Sequence, residues 1–503
     1  MPKESQKITI ISYLCPRIND NMADSTDNHN ANNRRSKFLK DIGIYAIGNI
    51  GSKLITFMMV PMYTYFIHDT SDFGFYDICL QVCLLLMPFV TLQLRDGAFR
   101  FLLDCDEGQQ RQRIVTFVSR TMAATLTASL AIAALMALFT DIHYLGYSVG
   151  LLIAMSLQEV YSQVFRGLGN NRAFVAVGIL SALGIGVFSV IGVAFMGWGI
   201  RGIFVANILA RVLALAIVEA RVRLITRHTR WRIDTRAVGR DIIRYTLPLL
   251  PGSLCWWLTG SSDRLFITNY LGLADNGVYA VAIRFTGIIN TLAIIFYQAW
   301  QETAILQYNS PDRNRFFSKM LGSYLYVLAG ILVGYLFLLK VNYGWLVADE
   351  YQQSLNYIYP LGLSAVIFAV AAFFDMGYQC AKDTARTLPA IILAAAVNVV
   401  LNFLLIKPLG VYGVIVTLLV TYLVLVAYRW HDMKRYFTLR LSGKAIVPAI
   451  VMLASAVPFY LSPGAWADIA FMAAALALLA WGCRDSLTEL WRAKIAKTRG
   501  TIK

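Results

Sequence analysis

The chain has 503 residues, 58% hydrophobic and only 15% charged, with a net charge of +16. Soluble domains carry about 25% charged residues, so the composition excludes an ordinary soluble protein and points to an integral membrane protein. The positive charge is no nucleic-acid signature, because the basic residues sit in short connections between apolar runs, where membrane orientation rules place them.

In chain order, residues 1–37 read as a disordered cytoplasmic tail, with Ile8–Leu14 too short to span and Met22 a second candidate start. Apolar runs near the ~20 residues that cross a bilayer then recur. They predict spans at 41–67, 76–100, 114–139, 143–166, 172–196, 200–223, 243–270, 277–300, 318–340, 355–379, 384–406, 411–429, 444–461 and 464–483. Alternate connections hold roughly thirty Lys and Arg against two, Arg201 and Lys407, in the rest, a strong positive-inside bias. The richest is the eight-arginine loop Arg221–Arg244. Both termini are therefore expected in the cytoplasm. The tail 484–503 sets Leu487, Leu490, Trp491 and Ile495 opposite basic residues, which suits a helix on an anionic membrane surface or, equally, a solvated tail. The cysteines suggest neither a disulfide nor a zinc site.

The chain also repeats itself. Asp41–Tyr45 (DIGIY) matches Asp241–Tyr245 (DIIRY), Gly51–Ser52 matches Gly252–Ser253, and Asp72–Tyr76 (DFGFY) matches Asp275–Tyr279 (DNGVY). Later, GWGIRG at Gly197–Gly202 pairs with PLGVYG at Pro408–Gly413, each opening the sixth span of its half. A fixed internal period marks a duplicated transporter fold, and six spans per half make the repeat parallel. The expectation is an all-α integral membrane fold with 14 transmembrane helices: two pseudo-twofold-related six-helix lobes plus a C-terminal helix pair. The predicted boundaries are 38–223 for the N-lobe, 224–242 for a basic cytoplasmic linker, 243–430 for the C-lobe and 431–483 for the final pair, followed by the basic tail 484–503.

This organisation resembles the multidrug/oligosaccharidyl-lipid/polysaccharide exporter superfamily, and within it the bacterial polysaccharide transporters, the Wzx-type flippases. The residues that carry the resemblance are SSDRLFITNYLGLADNGVYAVA (Ser261–Ala282), DGAFRFLLD (Asp96–Asp104), GNIGSKLITF (Gly48–Phe57) and RGLGNNR (Arg166–Arg172). It covers about residues 38–440. The pattern expects a Pro soon after Trp300, where this chain has Gln301–Glu302–Thr303, so the bend ending the eighth span stays open. The resemblance implies a multi-pass protein of the bacterial inner (cytoplasmic) membrane that is not an enzyme. It would flip a polyprenyl-pyrophosphate-linked oligosaccharide between leaflets by alternating access, for surface polysaccharide such as the O-antigen of lipopolysaccharide. A polysaccharide polymerase or ligase would be a partner, and the protein would act as a monomer. No cofactor is implied beyond possible coupling to protons or sodium.

Ionisable groups at membrane depth are costly and usually face a polar cavity. Lys53, Arg95, Arg264 and Arg284 are the substrate-binding candidates, because a diphosphate crossing hydrocarbon needs cations to replace its water. Arg284 and Lys53 have no acidic neighbour in their own spans. Asp263 beside Arg264 is expected to orient it or tie helices together, and Asp96 competes for Arg95. Arg211 is expected to pair with Glu219, and Arg100 to snorkel to lipid phosphates. Glu159 and Asp375, late in spans four and ten, are the coupling-ion candidates; the competing reading pairs them with a basic residue such as Arg166 or Lys382. Trp256, Trp257 and Tyr297 are candidates for stacking on sugars, against ordinary interfacial packing. Two other functions compete. A multidrug or cation exporter of the same fold needs an acidic cavity, and a membrane polysaccharide polymerase or ligase needs a large outer loop. The cations argue against the first and the short outer connections against the second.

Overall fold

The computed structural model describes residues 55–481 apart from 56, 106–107, 141–142, 309, 312, 382, 384–385, 441–442 and 463. Among the described residues there is no strand, and nine helices are long and apolar enough to cross a membrane. The first expected span lies mostly outside this range, although 57–66 is helical. The second is two helices, α1 (Thr70–Thr91) and α2 (Leu94–Leu103). They meet at Leu92 and Gln93, whose φ of 50° and 54° fall in the left-handed region that non-glycine residues avoid. Spans three to six are α3 (Gly108–Phe139), α4 (Leu145–Gly167), α5 (Asn171–Ser189, ending in a π turn Val190–Phe195) and α6 (Gly199–Val222).

The seventh span is a chain of pieces, α7 (Arg236–Thr246), α8 (Leu250–Ser261) and α9 (Asp263–Tyr270). Pro248 and Pro251 account for the first interruption and the Gly-Ser-Ser run at 260–262 for the second. At the second, Asp263 opens α9, where a carboxylate suits the positive end of the helix dipole. The predicted break at 271–277 is present but shorter, confined to Leu271 and Gly272 (φ 112°), since the next helix already begins at Leu273. Next comes α10 (Leu273–Gln307), a helix unbroken through Trp300 and Gln301. At about 1.5 Å per residue it is far longer than a bilayer core requires. Spans nine to twelve are α11 (Arg313–Leu346), α12 (Leu355–Cys380), α13 (Thr387–Leu409) and α14 (Val411–Met433). The final pair is the apolar helix Ile446–Leu461, interrupted at Ser455 into α15 (Ile446–Ala454) and α16 (Ala456–Leu461), and the apolar helix α17 (Ala465–Trp481). Lys340 of α11 fixes this pair: its Nζ lies 2.9 Å from Asp468 Oδ1 and 2.7 Å from Ser462 Oγ.

The halves repeat one packing scheme. In the first, α4 packs on α1, α3 and α6, and α5 on α6; in the second, α12 packs on α10, α11 and α14, and α13 on α14. The mates Gly202 and Gly413 serve the same purpose. A Cβ on Gly202 would lie 2.9 Å from the Gly192 backbone, and one on Gly413 would lie 2.2 Å from Leu405 O. Only glycine lets the fifth and sixth helices of each half approach this closely.

The halves meet along α1 and α10, and here the repeat mates touch each other. A Cβ on Gly74 would sit 1.9 Å from Leu273 O, and one on Gly277 would sit 1.9 Å from Thr70 O. The pairs Thr70/Leu273 and Gly74/Gly277 share one offset in the chain, so the contact is self-complementary, as at a twofold axis. Asn276 Nδ2 donates to Gly74 O at 2.8 Å. Around it, Tyr351 donates to Ile67 O at 2.8 Å, Tyr65 donates to Trp345 O at 2.9 Å, and His68 lies 3.2 Å from Glu350. This is the acidic-loop end of the bundle; the arginine-rich loop marks the other.

Candidate functional site

Just below the glycine contact lies a buried ion network shared by the two halves. Asp77 of α1, 3% exposed, is its centre. Its Oδ2 accepts from Arg264 Nε at 3.2 Å, and its Oδ1 lies 3.7 Å from Arg284 NH2. Arg264 also donates to Asp263 Oδ1 at 3.0 Å and to Gly260 O at 3.2 Å, and Tyr279 donates to Asp263 Oδ2. Arg284 projects from α10 among rings of the first half. Its guanidinium carbon stands 4.4 Å from the Phe73 centroid and 5.8 Å from those of Tyr63 and Tyr76. Two arginines and two aspartates make the network neutral, as burial demands.

The network corrects one expectation and refines another. Arg284 is not uncompensated: its carboxylate comes from the other half of the chain, where a search of its own span cannot find it. Asp263 does orient Arg264, but Arg264 also reaches across to Asp77. Lys53 lies outside the described residues.

The helices around the network are held by further cross-half contacts. Trp257 donates its ring N–H to Gln81 O at 3.0 Å, and Gln93, at the bend between α1 and α2, donates to Ser253 of α8. Thus Trp257 is committed to a backbone carbonyl. On the far side of α9, Ser262 donates to Asn398 Oδ1 at 3.1 Å, and Asn402 Nδ2 donates to the same atom at 3.1 Å. These amides, one helical turn apart on α13, tie the break in span seven to that helix and stand in the sequence as two plain polar residues of an apolar run.

The remaining candidates lie apart from this network. Arg95 pairs with Glu159 of α4 and lies 3.3 Å from Asp96, with all three side chains about a third to a half exposed. Glu159 therefore takes Arg95 as its partner, not Arg166. Asp375 Oδ1 is 3.1 Å from Arg429 NH2, so its partner is an arginine of α14. Arg429 is 2% exposed and also donates to Ala371 O at 2.7 Å. Gln379 extends this group, donating to Asp375 Oδ2 at 3.3 Å and to Tyr297 Oη at 2.7 Å. The expected Arg211–Glu219 pair does not form. Arg211 donates to Gln158 Oε1 at 2.7 Å, whereas Glu219 accepts from the backbone of Ile225 and Thr226 at 3.2 and 2.8 Å. The turn after α6 leaves those N–H groups in need of an acceptor. Arg100 pairs with Asp104 one turn on, at 3.1 Å. Beyond α14, burial and the Asp383 carboxylate hold the Tyr436 hydroxyl up at about 12, so it stays a donor to Asp383, at 2.9 Å.

Two adjoining cavities that share lining residues lie within the second half, below the network. One, of about 270 Å³, reaches from Asp263 and Arg264 past Tyr422 to Trp256, Asn290 and Phe368. The other, of about 250 Å³, continues from those three residues to Tyr297, Tyr324, Asp375 and Arg429. Among the described residues, no group of three or more His, Cys, Asp or Glu has a metal-holding arrangement.

No curated protein matches the chain in sequence. In fold it is similar to a multidrug resistance MATE family transporter of the MOP superfamily in an inward-facing conformation. That match has a TM-score of 0.62 at 14% identity, over 78% of this chain and 98% of the other. It is also similar to the lipid II flippase MurJ in an inward closed conformation, with a TM-score of 0.65 at 12% identity over 89% and 100%. A mutant of the Vibrio cholerae MATE transporter VcmN gives 0.50 at 14% identity over 80% and 96%. Residues 38–301, more than half of the chain, match the model of the polysaccharide biosynthesis protein family. With that match over more than half of its length, the chain belongs to the polysaccharide biosynthesis protein family, and it carries the fold shared by these transporters.

Proposed function

We propose that the protein is a flippase that moves a polyprenyl-diphosphate-linked oligosaccharide from the inner to the outer leaflet of a bacterial cytoplasmic membrane. The observation that carries this reading is the pair Arg264 and Arg284, buried where the two halves meet and joined by Asp77. A diphosphate cannot enter hydrocarbon unless fixed cations replace its hydration. Arg284 stands 3.7 Å from Asp77, beyond hydrogen-bond distance, and is held by charge and three aromatic rings. It is the arginine whose carboxylate a phosphate oxygen replaces most readily. The guanidinium fork suits such bidentate contact better than a lysine would.

In this reading the acidic-loop end faces outward, the arginine-rich loop faces the cytoplasm, and the closed glycine contact is the outer gate. The N-lobe (38–223) and the C-lobe (243–430) would rock about it to expose the arginines to either leaflet. Lys53 and Arg95 are proposed to extend the anion path, and Glu159 or Asp375 to carry a coupling proton or sodium ion. A polymerase or ligase would take up the product on the outer face.

The test is translocation of a fluorescent polyprenyl-diphosphate glycan across proteoliposomes containing the full chain. Arg264→Gln and Arg284→Gln are each expected to reduce the rate by at least about tenfold, since each removes a charge-assisted contact. Full activity in both variants, at normal protein levels, overturns the anion-carrying role. A wild type that instead accumulates lipophilic cations moves the reading to drug export.

A further inference from the structure

We infer that the two adjoining cavities of the second half are pyranose subsites that read successive sugar rings of the transported glycan. This inference rests on the flippase reading above and adds what part of the substrate the site recognises.

The walls are aromatic and the fittings polar. Trp256 and Phe368 stand edge to face at 6.1 Å, and Phe368 lies 5.1 Å from Tyr422. Together with Asn290, Trp256 and Phe368 line both cavities and so form the waist between them. Trp256 is 44% exposed although it sits mid-helix in an apolar span. The Asn290 amide makes no hydrogen bond to any described residue. Thr259, Thr286 and Ser364 each donate their hydroxyl to a backbone carbonyl, which leaves their oxygens able to accept. A sugar ring has an apolar C–H face for a Trp or Phe and an equatorial rim of hydroxyls for amide and hydroxyl groups. Largely apolar walls with a few placed polar groups are what orient such a ligand.

Charge decides against the other occupant of an aromatic pocket. A lipophilic cation would need an unbalanced carboxylate beside the rings to offset its charge. Here the two carboxylates that line the cavities are matched, Asp263 by Arg264 and Asp375 by Arg429. The cavities are thus neutral overall and suit an uncharged polyhydroxylated ligand.

The order of the rings follows from position. Arg264 closes one end of the first cavity and belongs to the network assigned to the diphosphate. A diphosphate held there places the first sugar against Tyr422, Phe368 and Trp256. The second sugar passes the waist into the cavity of Tyr297 and Tyr324, where Asp375 and Arg429 meet its hydroxyls.

The experiment measures binding of three probes to the full chain in nanodiscs: undecaprenyl diphosphate alone, the same lipid with one N-acetylglucosamine, and with two. The wild type should bind more tightly with each added ring. Trp256→Ala and Asn290→Ala should each weaken both glycolipids by about tenfold and leave the bare lipid unchanged. Tyr297→Ala should weaken the two-ring lipid only. Trp256→Phe keeps a stacking face and should retain glycolipid binding, which separates lost stacking from a damaged fold. Equal affinity of the wild type for all three lipids overturns the subsites while leaving the flippase reading standing. So does a Trp256→Ala variant that weakens all three equally, or that loses affinity for tetraphenylphosphonium instead. A wild type that binds none of the lipids removes the flippase reading and the subsites with it.

Discussion

The two halves of the bundle share their backbone scheme and differ in their charges. Gly74 and Gly277, or Gly202 and Gly413, do the same steric work in each half. At the offset that relates Gly74 to Gly277, however, the mate of Asp77 is Ala280 and the mate of Arg284 is Gln81. The first half contributes one buried carboxylate and a cage of rings to the seam, and the second contributes two arginines and an aspartate. Away from the seam the contrast continues. The second half buries Arg429 against a partly exposed Asp375, whereas the first leaves both Arg95 and Glu159 partly exposed. Small residues preserve the symmetry that lets the halves dock, and the ionic chemistry sits where that symmetry fails.

The largest effect should come from breaking the symmetric part. Gly74→Val and Gly277→Val each force a side chain into a backbone carbonyl 1.9 Å from the Cβ, a clash that no rotamer relieves. Both variants should hold the acidic-loop ends apart. Spin labels at Ser71 and Ala274 would report a longer, broader distance distribution than in the wild type. Gly178, with nothing within 4 Å of its Cβ position, is the matched control, and Gly178→Val should leave that distribution unchanged. An unchanged distance in the Gly74 and Gly277 variants would mean that the glycine contact does not hold the halves together.

The next effect belongs to the asymmetric part. Asp77→Asn leaves Arg284 without its carboxylate and Arg264 with only Asp263. Breaking a buried ion pair by removing one partner costs about 3–5 kcal/mol. Asp263→Asn should cost less, because Arg264 keeps Asp77. Thermal unfolding in nanodiscs would rank them, and an Asp263 variant less stable than the Asp77 variant would contradict the central place given to Asp77.

These pairings show where sequence reading stops. The apolar helices among the described residues were legible because bilayer thickness imposes a length on apolar runs, and the paired glycines because their motifs recur about 200 to 211 residues apart. The partners of the charges were not. Asp77 lies early in its span and reads as an extension of the acidic connection before it, while Arg264 stands 187 residues away. Arg429 reads as the first residue of a basic loop, yet α14 carries it onto the face toward Asp375. Lys340 lies near the end of a span, with Asp468 128 residues further on. A single sequence says that a buried charge needs a partner, and only the packing of helices says which. The bend at Leu92–Gln93 was equally hidden, because neither residue signals a left-handed backbone.

The Lys340–Asp468 pair tests whether burial alone sets these magnitudes, since it ties the repeat to the helix pair outside it. Lys340→Met should cost about 2 kcal/mol by stranding a hydrogen-bonded carboxylate. Adding Asp468→Leu should recover most of that loss, because two apolar groups need no partner. A double variant no better than the single one would show that the pair contributes packing and not charge.

The smallest effect should fall on the half-exposed pair of the first half. Arg95→Gln or Glu159→Gln removes an ion pair whose side chains are 44% and 31% exposed. Solvent screening limits such a pair to below about 1 kcal/mol. Stability should therefore barely change, and the small change should shrink further in high salt. The same variants are informative for transport, because a pair that stabilises little and still alters the translocation rate must act on the substrate or the coupling ion. If Arg95→Gln proves as destabilising as Asp77→Asn, the charge asymmetry between the halves is not an energetic one, and the seam loses its special status.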